Sequence, residues 1–172
     1  MGQQQSGEGT ATDRVAHIQE QWRRERPDLD TSPVGVIGRL HRLAAHLTGE
    51  LVPVYRRFGL GEGDFDVLAS LRRAGQPYEL APGDLARHTM VTTGGMTKRL
   101  DRLEEAGLVT RRAATGDRRG RVVALTERGR ALVDDAIAAH LANERRILEA
   151  LSPADRDDLE RILTAWLARY EG

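Results

Sequence analysis

The stretch from Pro82 to Leu125 constrains the fold most tightly, because its hydrophobic spacing changes there from helical to extended. Leu85 and Ala86 in residues 82–90, then Met96, Leu100 and Leu103 in residues 92–106, recur at helical intervals with one tight junction between the two runs. Residues 108–112 and 121–125 then alternate and are valine-rich around Thr115-Gly116-Asp117, which predicts a β-hairpin. Two short helices so joined make a helix-turn-helix, and a hairpin directly after the second makes a wing.

The flanks are helical. Residues 1–11 are rich in Gln, Gly and Ser, have nothing to bury, and are expected to stay disordered. Thr12 or Asp13 is placed to cap an extra N-terminal helix over 12–26, with Val15, Ile18 and Trp22 on one stripe and a stop near Pro27. Ser32-Pro33 reads as an N-cap and first-turn proline opening a long helix over 32–58, with Leu40, Leu43, Leu47, Leu51 and Val54 apolar and Pro53 a candidate kink. A helix over 61–73 ends at Gly75-Gln76-Pro77. Thr126 caps a helix to about Leu151, and Ser152-Pro153 opens a last one ending near Tyr170. The helices at 32–58 and 126–170 carry more apolar face than one lobe covers, so they are expected to pair two copies of the chain. The expectation is a mainly α fold with a small β-hairpin: a single domain over 12–172, its winged helix-turn-helix lobe at 61–125.

Charge localises the function. Basic and acidic residues balance at 26 each, so any attraction for nucleic acid must be local. Arg111, Arg112, Arg118, Arg119 and Arg121 crowd the hairpin with Asp117 as the acid among them. The second helix of such a pair meets the major groove with its N-terminal residues, which places Thr92, Thr93, Thr97 and Lys98 at base edges and phosphates. Arg102, Arg118, Arg119 and Arg121 complete the DNA-binding set, and Gly94 and Gly95, in the first helical turn, allow close backbone approach. The competing reading of each segment is a capped surface helix and a solvated charge run.

Other classes find no footing. There is no cysteine, no G-x-S-x-G, no Walker-type run, and no histidine pair at i, i+4, so neither enzyme, metal site nor cofactor is expected. The N-terminus lacks a signal-peptide pattern and no apolar run approaches ~18 residues, so the expected location is cytoplasmic, with no membrane partner.

Asp117-Arg118-Arg119 followed by Leu125-Thr126-Glu127-Arg128-Gly129 resembles the wing signature of the MarR family. Thr93-Gly94-Gly95-Met96-Thr97-Lys98-Arg99-Leu100, with Arg102-Leu103-Glu104 and Gly107-Leu108, resembles that family's recognition helix, and the likeness covers nearly everything after Pro33. It implies a homodimer with interlocked terminal helices, an inverted-repeat operator in double-stranded DNA, Asp117 bracing the wing, and Arg119 reaching the minor groove. The extra N-terminal helix, with Trp22, Asp66, Arg99 and Arg111, is similar to the urate-responsive PecS-like branch, which implies that these four bind urate or a related purine and that the ligand releases a repressor from its operator. A flat anionic purine suits a planar guanidinium, an acceptor carboxylate and an aromatic wall. The alternative is a MarR-type regulator of another aromatic acid or drug-like ligand, with Asp66–Arg99 a structural ion pair.

Overall fold

The computed structural model describes residues 13–89, 95–114 and 117–171, with residues 114 and 117–120 by backbone alone. The expected N-terminal tail and the Thr115-Gly116 turn lie outside the described residues. Two compact units form, one within residues 1–49 and one over 50–172.

In the first unit, α1 (Arg14–Glu25) is capped by Asp13, whose Oδ1 accepts the Ala16 N–H at 2.8 Å while Oδ2 meets Arg39 Nε at 2.6 Å. Two glycines of α2 (Ser32–Arg56) receive α1 side by side. A Cβ at Gly38 would sit 3.2 Å from Val15, and one at Gly35 would sit 3.0 Å from the amide of Gln19. Gln19 is buried and donates to the Thr31 carbonyl at 3.0 Å, so α1 is held by packing, by this bond and by the Asp13–Arg39 pair. Ser32 is not the cap it resembles in sequence. Asp30 is, accepting both the N–H and the O–H of Ser32 at 2.9 and 2.8 Å.

The second unit is built on α3 (Glu62–Arg73), buried continuously from Phe65 to Leu71. Around it lie β1 (Glu79–Leu80), α4 (Pro82–His88), α5 (Met96–Glu105), β2 (Val109–Ala114), β3 (Asp117–Leu125), α6 (Glu127–Leu148) and α7 (Pro153–Glu171). Val67, Leu68, Leu71, Leu85, Val109, Val123 and Val133 close one core between helices and sheet. The sheet has three antiparallel strands in the order β1-β3-β2, one more than the hairpin expected. Glu79 and Leu80 pair with Ala124 and Val123, and two residues are too short a run to show alternation in sequence.

One node fixes the wing to α6. The Thr126 hydroxyl accepts the Gly129 N–H at 2.9 Å and lies 2.8 Å from the Gly107 carbonyl, while the Thr126 N–H reaches the Leu108 carbonyl at 3.1 Å. A Cβ at Gly129 would fall well inside 3.0 Å of that same Leu108 oxygen, so only glycine lets α6 start here. By contrast, α7 has no buried residue in the single chain. Its Ile162, Leu163, Leu167 and Tyr170 are exposed on helical spacing, as are Leu141 and Leu148 on α6. Among the described residues no helix is long and apolar enough to cross a membrane.

Candidate functional site

α5 begins at Met96. Gly95 is its N-cap, at φ 80°, in the left-handed region that favours glycine. This corrects the expectation that Gly94 and Gly95 occupy the first helical turn: Gly95 stands outside it, while Thr92, Thr93 and Gly94 lie outside the described residues. Thr97 and Lys98 are exposed, and Leu100 and Leu103 bury the opposite face of the helix. The preceding helix is pinned at its C-terminus, where Arg73 Nη2 and Ser70 Oγ both donate to the His88 carbonyl, at 2.9 and 3.0 Å. Both bonds satisfy one orphan carbonyl at the end of α4 and tie the start of the turn to α3.

The hairpin is less cationic than its sequence suggests, because acids outside the hairpin reach two of its arginines. Arg111 is gripped from α5: Nη2 lies 2.7 Å from Asp101 and 2.6 Å from Glu104, and its N–H and Nε also donate to Glu104. Hydrogen bonding from Arg111 holds the Glu104 carboxyl below its ordinary range, and Glu104 with Asp101 raises the guanidinium above its own. Arg112 pairs with Glu79 on β1, across β3. Arg121 is exposed and lines an open pocket of about 430 Å³ with Pro82, Glu104, Arg111 and Val122. The side chains of Asp117, Arg118 and Arg119 lie outside the described residues.

Arg99 occupies an unusual seat. Its guanidinium packs where a side chain at Gly63 would be, since a Cβ there would fall inside 3.0 Å of its Cζ, Nε and Nη2. Its Nε and Nη1 are buried without a hydrogen-bond partner among the described residues. Among the described residues the acid within ion-pair reach of Arg99 is Asp64, at 4.0 Å from Nε, where the expected alternative had Asp66. Asp66 is buried one helical turn beyond Gly63, on the same face of α3 by its i, i+3 spacing.

Behind them the Tyr55 ring stacks on Phe65 with centroids 4.2 Å apart, and its hydroxyl meets His140 Nδ1 at 3.2 Å. Burial pushes that hydroxyl up to about 12, with Glu144, Glu62 and Asp66 adding to it, so Tyr55 stays neutral. The four residues of the expected ligand set therefore have different settings. Asp66 and Arg99 lie at the α3–α5 packing, Arg111 is clamped to the other side of α5, and Trp22 is half exposed on α1 in the first unit.

Sequence reading missed Gly63, Asp64, Asp101, Glu104 and Glu79. For the acids of α5 a signal existed: two carboxylates at i, i+3 just before an arginine-rich hairpin.

Comparison with known proteins agrees with this architecture. Residues 58–120 match the MarR family model. The chain is 40% identical over 149 residues to the HTH-type transcriptional regulator PecS of Dickeya dadantii, covering 87% of this chain and 90% of that one. Its fold superposes on AbsC, a MarR family transcriptional regulator from Streptomyces coelicolor, with a TM-score of 0.72 at 28% identity, covering 84% and 98% of the two chains. It also superposes on the MarR family protein Rv2887 of Mycobacterium tuberculosis in complex with salicylic acid, with a TM-score of 0.59 at 33% identity over 74% and 92%. A helix-turn-helix carried on α3, a wing pinned through Thr126 and Gly129, and a PecS relative matched along most of its length make one assignment: the chain belongs to the MarR family of DNA-binding transcriptional regulators.

Proposed function

We propose that the protein is a homodimeric repressor whose operator is an inverted repeat, and that urate or a related purine binds beside Arg99 and releases the DNA. The carrying observation is the buried Arg99 guanidinium on the recognition helix, with two nitrogens unpartnered. A buried donor without an acceptor is costly, and a charged one more so, which makes an anionic, hydrogen-bonding ligand the natural complement. A ligand that recruits Arg99 acts directly on α5, so its affinity differs between the DNA-bound and free positions of that helix. Asp66 supplies an acceptor for a purine N–H; Trp22 and Arg111 belong to the ligand set by resemblance to the PecS-like branch alone, Arg111 being held on another face of α5 by Asp101 and Glu104. The exposed apolar stripe of α7 supports pairing of two chains, and a two-fold dimer reads half-sites about one helical turn, roughly 10 base pairs, apart.

The test is calorimetry with urate, xanthine, hypoxanthine and salicylate, paired with operator binding and light scattering. Urate is expected to bind below millimolar and to weaken operator binding about 5- to 150-fold without separating the dimer. Release by salicylate with no purine binding would instead support an aromatic-acid regulator, the reading favoured by the salicylate complex of the Mycobacterium tuberculosis relative.

DNA contact by the wing is tested separately. Arg119→Ala is expected to weaken binding to all sequences and to flatten the salt dependence by about 1 per subunit. Thr97→Ala should instead shift sequence preference. Undiminished operator affinity in Arg119→Ala would remove the wing from the interface.

A further inference from the structure

We infer that Asp64 is the residue that transmits the state of the effector site to the DNA-binding face, by dividing one carboxylate between two arginines of α5. This rests on the purine reading only for its ligand-dependent half. Asp64 sits in the first turn of α3, where Oδ2 accepts the Gly61 N–H at 3.2 Å, so its position is set by the helix it caps. Its Oδ1 lies 2.8 Å from Nη2 of Arg102 and 4.0 Å from Nε of Arg99.

The two arginines differ in setting. The Arg99 side chain is 16% exposed and that of Arg102 60%, while the carboxylate between them is 14% exposed. One acid thus faces two cations, one on the effector side and one on the solvent side that belongs to the expected phosphate-contacting set. In the free protein Arg102 is tethered to α3 and withheld from DNA, and the tether is weakened by competition from Arg99. An anionic effector that takes Arg99 ends that competition. Arg102 then has the whole carboxylate, binds it more firmly, and is lost to the phosphates. Loosening of operator contact follows from a shift in one ion pair on α5, in addition to any movement of the helix, and the differential affinity of the effector has a named atomic source.

The experiment uses the full-length dimer with Asp64→Asn, which keeps a capping oxygen and removes the charge. Asp64→Ser is a second charge-free variant should the first fold poorly. Operator binding is measured against salt without ligand, then at saturating urate with occupancy read by calorimetry. Without ligand, the variants are expected to bind operator up to about fivefold more tightly per subunit, the range an exposed ion pair spans. Their salt dependence should be steeper by about 0.9 per subunit, as one more phosphate contact requires. Adding Arg102→Ala should erase both gains. At saturating urate, release should fall to under about a third of the parent's. Unchanged salt dependence in folded Asp64→Asn, or a gain that survives Arg102→Ala, overturns the tether. Full release at saturating urate overturns the transmission. If the parent binds no purine, the purine reading fails, transmission fails with it, and the ligand-free measurements alone decide the tether.

Discussion

Gly129→Ala is expected to lower the melting temperature by about 4 to 12 °C, a larger stability loss than alanine should cause at the other described glycines of the second unit. The added Cβ would press on the Leu108 carbonyl oxygen, which is backbone and cannot swing away as a side-chain tip would. That carbonyl is also the acceptor of the Thr126 N–H at 3.1 Å, and Thr126 caps α6 through the Gly129 N–H at 2.9 Å. Moving the carbonyl therefore breaks the junction that fixes β2, β3 and α6 to one another. Overpacking costs about 1 to 3 kcal/mol and more where the backbone must yield, so about 3 kcal/mol is expected here. For a chain of this size each kcal/mol shifts the midpoint by about 2 to 4 °C. The better helix propensity of alanine recovers at most about 1 kcal/mol of that. Thr126→Ala, which removes the cap and the hydroxyl's bond to the Gly107 carbonyl, should cost about 1 to 2 kcal/mol. Thermal unfolding by circular dichroism separates them, and a Gly129→Ala midpoint within 2 °C of the parent would show that the junction can relax.

How far the fold was legible depends on which physical signal each element carries. The pair α4–α5 and the strands after them could be read because Leu85, Leu100 and Leu103 keep helical spacing and Val109 and Val123 keep the strand pattern, all buried by the same core. β1 could not, since Glu79 and Leu80 become a strand only through pairing with Ala124 and Val123, a contact long-range in sequence. The same limit governs charge. Arg111 and Arg112 look like free cations in a linear reading, yet their acids come from α5 and β1. At the candidate site, Arg99 was singled out through resemblance, and what the sequence did not reveal is that its guanidinium is buried with Nε and Nη1 unpartnered among the described residues. Its seat on Gly63 and its neighbour Asp64 were hidden because a glycine in a first helical turn and an acid three residues after Gly61 both read as ordinary helix-start chemistry.

Gly63→Ala is expected to abolish the effector response while leaving the protein as stable as the parent or slightly more so. The glycine is the second residue of α3, and a Cβ there would occupy the volume now filled by Cζ, Nε and Nη2 of Arg99. Unlike the carbonyl at Gly129, this obstacle is the far end of a flexible side chain, so Arg99 swings out and the backbone stays. Alanine in a helix is favoured over glycine by about 0.4 to 1 kcal/mol, and Arg99 loses a seat in which two nitrogens go without partners. The folded state therefore has no net loss. What disappears is the buried cation to which the proposed function assigns the anionic ligand, and a guanidinium returned to water binds an anion only weakly because it is already solvated and screened. Release by urate, about 5- to 150-fold in the parent, should fall to within twofold of none. Arg99→Ala should match it in release. Operator affinity in the presence and absence of urate, beside a melting curve for each variant, decides the matter. Full release by a stably folded Gly63→Ala would mean that Arg99 meets the effector from outside its buried seat, and the glycine would then be only a packing accommodation between α3 and α5.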